Sequence, residues 1–91
     1  MQIPIHHNLA QNRFEAALDG QLAILTYQKS ANRIIFDHTH VPQEFRGRGI
    51  ASALAQAALE YAASEKLKVV PHCWFVADYI ARNPQYQRLL G

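Results

Sequence analysis

With only one cysteine, the 91-residue chain cannot form an internal disulfide, which fits a reducing compartment. No apolar run approaches the roughly 18 residues that cross a bilayer. The start Met1-Gln2-Ile3-Pro4 has no basic stretch leading into an apolar one, so the expected location is cytoplasmic, with no membrane partner. Charge is scarce too. Asp, Glu, Lys and Arg make up 18% of the residues and the net charge is only +2, which gives no general reason to expect a nucleic-acid partner. Four glycines and four prolines are scattered without forming a linker, repeat or low-complexity segment. Against these absences, 49% of the residues are apolar, the balance of a globular chain. The expectation is one domain over residues 1–91 with a single modest core, in a monomer or weak dimer.

Residues 3–8 read as an irregular lead-in or edge strand, because Pro4 limits pairing. His6 and His7 fall on opposite faces of such a strand and have no third ligand nearby in sequence, so no metal site is expected. Two alternating runs, Arg13–Leu18 and Gln21–Tyr27, flank Asp19-Gly20, a strong short hairpin signal, with Leu22, Ile24 and Thr26 sharing one face. A turn around Ser30–Asn32 leads into a third run, Arg33–Val41. A long alanine-rich helix should follow from about Arg48 to Glu65, with Ser52, Gln56 and Glu60 as a narrow polar stripe. Ile50, Leu54, Ala57, Ala58, Tyr61 and Ala62 fill its apolar face. Leu67, Val69 and Val70 then form a short strand to Pro71, parallel to the third run. A second helix carries Phe75, Val76, Tyr79 and Ile80, and Asn83-Pro84 is placed to cap and start a further short helix. The fold class is therefore α+β: an antiparallel β-meander, a long helix, a further strand and two short C-terminal helices.

The stretch Val41-Pro42-Gln43-Glu44-Phe45-Arg46-Gly47-Arg48-Gly49-Ile50-Ala51-Ser52 joins strand to helix through two glycines and two arginines. Glycines at alternate positions let backbone N–H groups approach a ligand, and the helix start adds its unpaired N–H groups and positive dipole end. Such a turn suits a phosphate, with Arg46 and Arg48 to meet its oxygens; equally, it is a tight turn with solvated arginines. The P-loop pattern is absent, and the dinucleotide fingerprint fails at Ser52, where a third glycine or alanine should stand.

Together with Val69-Val70-Pro71, Cys73, Phe75-Val76, Tyr79-Ile80, Asn83-Pro84 and Tyr86, the stretch resembles the small single-domain GCN5-related N-acetyltransferase-like proteins over roughly residues 10–90. That resemblance implies a shortened acetyltransferase fold that binds acetyl-coenzyme A and transfers acetyl to an amine of a small molecule or protein. It places the pyrophosphate on Arg46, Gly47, Arg48, Gly49, Ile50 and Ala51, with Val41 beside them, and sets Tyr79 and Asn83 near the pantetheine arm. Two positions depart from the pattern. Glu44 stands where relatives carry glutamine or arginine, so its carboxylate should point away; His40 stands where an acidic residue usually precedes Val-Pro.

Acetyl transfer needs a base, a polarised thioester carbonyl and a donor for the departing thiolate. Backbone N–H groups near Thr39–Val41 are placed to polarise the carbonyl. Cys73, between a strand end and a helix start, reads as an acyl-accepting nucleophile, as a proton donor to the leaving thiolate, or as a small buried hydrophobe. His40 is the candidate base, with His38 and His72 behind it, while Trp74 walls the thioester site or fills core. A coenzyme A-binding module without turnover remains the alternative to an enzyme. A nucleic-acid domain using Arg13, Arg46 and Arg48 lacks the aromatic basic surface it would need.

Overall fold

A computed structural model describes residues 3–91; Met1 and Gln2, at the start of the expected domain, lie outside the described residues. Strands β1 (His6–Asn8), β2 (Arg13–Leu18), β3 (Gln21–Lys29), β4 (Arg33–His40) and β5 (Lys68–Pro71) form one sheet in sequence order. The first four pair antiparallel and β5 joins β4 in parallel, as the strand–helix–strand crossing requires. Helix α1 (Ile50–Ser64) makes that crossing, helix α2 (Trp74–Arg82) follows β5, and a 3-10 turn covers Pro84–Leu89.

One face of the sheet is buried. Phe14 and Ala16 of β2, Ala23, Leu25 and Tyr27 of β3, Ile34 and Phe36 of β4 and Val69 of β5 all lie in the core, matching the period of two. The apolar set Leu22, Ile24 and Thr26 occupies the outer face, where Leu22 is 40% exposed. Across the core, α1 buries Ile50, Leu54, Ala55, Ala58, Leu59 and Ala62. The expected stripe is therefore rotated: Ala55 and Leu59 point inward, and Ala57 and Tyr61 are half-buried. Alanines at the contact let helix and sheet approach closely. Two hydrogen bonds, Leu67 N–H to Ala62 O at 2.9 Å and Lys66 N–H to Ala63 O at 3.2 Å, close α1. Lys66 takes the left-handed conformation with φ +57°, the Schellman arrangement, here without a glycine.

His6 is exposed while the His7 ring stacks on Phe14 at 4.0 Å and meets the Tyr27 hydroxyl through Nε2 at 2.6 Å. Burial, with His6 and Lys29 nearby, holds His7 below its ordinary pKa. The expected cap at Asn83 is also reassigned. Its side chain makes no capping bond to the turn after it, and Nδ2 instead donates to Tyr79 O at 2.8 Å, closing the end of α2. No helix among the described residues is long and apolar enough to cross a membrane.

The C-terminal turn is tied to α1 by the Tyr86 hydroxyl, which donates to Glu60 Oε2 at 2.7 Å. Burial first, and then this bond to a carboxylate, push the phenol up to about 12. A group whose folded pKa is raised stabilises fully below its unfolded value, near 10, and loses that contribution as pH rises through the folded value. Phenolate absorbance should accordingly show one tyrosine ionising last, near pH 12, with stability falling between pH 10 and 12. In Tyr86→Phe the late step should disappear and the loss should shrink to what Tyr27, Tyr79 and Lys29, also held above their ordinary values, contribute; an unchanged slope would assign the loss to those groups.

Candidate active site

The geometry of the site begins with an extra residue. Thr26 pairs with His38 and Tyr27 with Phe36, leaving Asp37 unopposed as a bulge in β4. Thr26 Oγ1 donates to Asp37 Oδ1, and Gln28 Nε2 donates to Oδ2 at 3.3 Å, so the bulge is held by side chains of the neighbouring strand. A bulge shifts the alternation by one. After Phe36 the inward positions are therefore Thr39, opposite buried Leu25, and buried Val41, while His38 and His40 pair with the outward Thr26 and Ile24.

The parallel pairing of β4 with β5 ends at Phe36 and Pro71. Cys73 N–H makes one more bond, to Phe36 O at 2.8 Å, after which the chain turns into α2 while β4 runs on to His40. Beyond that bond the two segments no longer pair. Cys73, the N-cap residue of α2, is 8% exposed, and its Sγ lies 3.1 Å from Thr39 Oγ1. Thr39, His40, Cys73 and Trp74 line the same cleft of about 340 Å³. Thr39 is thus the thiol's partner, a role that strict alternation from Phe36 conceals.

A second cleft, of about 280 Å³, lies against the glycine turn and is lined by Gly47, Gly49, Ile50 and Ser52. The two clefts share Val41, Arg46, Ala51 and Phe75, which makes them adjoining parts of one groove. Gly47 at φ +82° and Gly49 at φ +77° both adopt the left-handed conformation, and Gly49 is the N-cap of α1 with no side-chain capping bond. The first intrahelical bond runs from Ala53 N–H to Gly49 O at 3.0 Å, so the N–H groups of Ile50, Ala51 and Ser52 stand outside the helical ladder. Arg46 Nε donates to Val41 O at 3.2 Å, and Arg46 lines both clefts. The Arg48 guanidinium lies over the Phe45 ring at 5.4 Å. Glu44 behaves as the departure from the family pattern requires: its carboxylate accepts from Gln21 Nε2, at the β2–β3 hairpin.

Not every candidate reaches this groove. Tyr79 is stacked between Phe75 and Tyr86 and Asn83 is bonded to Tyr79, and neither lines the two clefts. His38 and His72 are exposed outside them. Trp74, 77% exposed, is a lip rather than core. A larger groove of about 670 Å³ follows the polar stripe Ser52, Gln56 and Glu60 and meets the turn at Arg48 and Gly49. It shares no lining residue with the thiol cleft. Among the described residues no cluster of three metal-ligating side chains occurs.

This architecture is shared. The solution structure of a GCN5-like protein from Staphylococcus aureus superposes with a TM-score of 0.77 at 29% identity, over 98% of this chain and 88% of that one. Protein NATD1 of Gallus gallus is 39% identical over 90 residues, 96% of this chain and 82% of the relative. Protein NATD1 of Homo sapiens is also 39% identical, over 96% of this chain and 80% of the relative. The family model for GCN5-related N-acetyl-transferase matches residues 13–89, from the first residue of β2 to the end of the C-terminal turn, and the chain belongs to that family.

Proposed function

We propose that this chain transfers acetyl from acetyl-coenzyme A to a primary amine, in the cytoplasm or another reducing compartment, with no metal. The observation that carries the reading is the single groove joining a free helix N-terminus at Gly47–Ser52 to the thiol of Cys73. In it, Gly47, Gly49, Ile50 and Ala51 offer backbone N–H groups to the pyrophosphate, and Arg46 and Arg48 supply charge. Arg48 serves from the side of the larger groove, where it meets the turn. The pantetheine arm runs past Val41 and Phe75, which both clefts share, while Tyr79 and Asn83 line neither cleft and brace α2.

Cys73 is the acyl-accepting nucleophile. Its sulfur bonds the acetyl carbon, and the coenzyme sulfur leaves and takes up a proton. The Thr39 hydroxyl, 3.1 Å from Cys73 Sγ, is placed to donate to the sulfur as charge develops on it, and the start of α2 lies beside the same atom. His40, on the rim of the same cleft, takes the proton of the attacking amine. A coenzyme-binding module without turnover would use the turn but would have no need of a hydroxyl aimed at the thiol.

Valine at position 49 would be strained by roughly 1–2 kcal/mol in the left-handed conformation and would turn its N–H from the groove. Calorimetry on Gly49→Val should show coenzyme A affinity weakened at least about tenfold, with the circular dichroism of the fold retained; undiminished affinity would remove the turn from the site. For the thiol, hydrogen bonds to a charged group contribute about 1.5–3 kcal/mol. Iodoacetamide should therefore alkylate Cys73 roughly tenfold more slowly in Thr39→Val at neutral pH, and Thr39→Ser should recover the rate. Equal rates in all three proteins would reduce Thr39 to a packing residue.

A further inference from the structure

We infer that the acceptor is an aromatic primary amine, received on the face of Trp74. This inference rests on the acetyl-transfer reading of the groove and deepens it. The first ground is charge. The chain has seven Asp and Glu residues, and none lines either of the two adjoining clefts. Five are engaged elsewhere: Glu15 with Arg13, Asp37 with Thr26, Glu44 with Gln21, Glu60 with Tyr86 and Asp78 with Arg82. Asp19 sits in the β2–β3 turn and Glu65 follows α1. The fixed charge that the thiol cleft does carry is the guanidinium of Arg46. An alkylammonium entering there would lose its hydration beside a like charge with no carboxylate to replace it.

The second ground is proton inventory. Alkylamines resemble lysine, with a pKa near 10.4, and arrive protonated; a protonated nitrogen cannot attack. An aromatic amine is neutral at the same pH because its lone pair is shared with the ring, so a single weak base suffices. His40, exposed at the rim, is placed to take that one proton. In the transfer step the amine nitrogen bonds the acetyl carbon, the carbon–sulfur bond to Cys73 breaks, and the nitrogen's proton passes to His40 and on to the thiolate.

The third ground is the lip itself. Trp74 is 77% exposed, next in sequence to the thiol, and packs edge-on against Phe75 with ring centroids 6.0 Å apart. Phe75 is stacked in turn with Tyr79 at 6.5 Å, so the indole is backed by aromatic rings while its outer face is open. An exposed indole at a cleft mouth is a surface for another ring, in an offset or edge-to-face arrangement.

Trp74 is the chain's one tryptophan, so its indole N–H is a single reporter in a nitrogen–proton correlation spectrum. Titrating p-toluidine onto the full chain should shift that signal saturably, whereas spermidine should leave it in place. In turnover with acetyl-coenzyme A, p-toluidine should be acetylated faster than spermidine. Trp74→Ala should raise KM for p-toluidine at least tenfold with kcat within about twofold, and Trp74→Phe should restore most of the loss. A non-saturable or absent shift with p-toluidine, faster acetylation of spermidine, or an unchanged KM in Trp74→Ala would each overturn the assignment. A saturable shift without acetylation of any amine would uphold the aromatic class and place the failure on the transfer reading instead.

Discussion

The site depends on β4 outrunning β5. Parallel pairing holds the two strands together only as far as Phe36 and Pro71, and Thr39, His40, Cys73 and Trp74, which line the thiol cleft, lie beyond that point. If pairing continued, backbone hydrogen bonds would fill the space where the strands now part. Two local features end it. Asp37 enters β4 as an unopposed residue, and after Pro71 the chain turns to start α2, its departure fixed by the bond from Cys73 N–H to Phe36 O. Phe36 is fully buried, so the fork is anchored in the core. One arm then carries Thr39 and the other Cys73, meeting at 3.1 Å.

At the opposite end of the groove the constraint is conformational rather than one of pairing. Gly47 and Gly49 hold positive φ values with no atom placed where a Cβ would go. Space does not forbid a side chain there; the backbone angle does. The same angles leave the first N–H groups of α1 pointing out of the helix, and α1 is held in place by its buried face against β2, β3 and β4. A helix packed for stability thus presents a fixed set of donors to the groove, in the manner of anion sites at helix starts generally.

Much of this was legible in the residues. Asp19-Gly20 marked the hairpin, the four-residue recurrence of Ser52, Gln56 and Glu60 marked α1, and the crossing length required β5 to run parallel to β4. The glycine turn and its paired arginines stood out for the same reason: their residue types are demanded locally. What stayed hidden depends on partners distant in sequence. The bulge at Asp37 leaves no mark in a period-two count, which hides Thr39 as the neighbour of Cys73. The outer position of Leu22, Ile24 and Thr26 follows from which face meets α1, and that strand is apolar on both faces. Asn83-Pro84 carried a start signal, but the amide found the Tyr79 carbonyl behind it closer than the helix ahead.

If the glycine turn and the thiol serve one bound molecule, intact-protein mass spectrometry after incubation with acetyl-coenzyme A will show it on the protein itself. Wild type, Cys73→Ala and Gly49→Val would be compared, each with and without hydroxylamine. One acetyl on wild type, removed by hydroxylamine, absent from Cys73→Ala and strongly reduced in Gly49→Val, is the result expected of a groove that works as a unit. No adduct on wild type would take Cys73 out of the chemistry, and an adduct on Cys73 that Gly49→Val leaves untouched would separate the thiol from the turn.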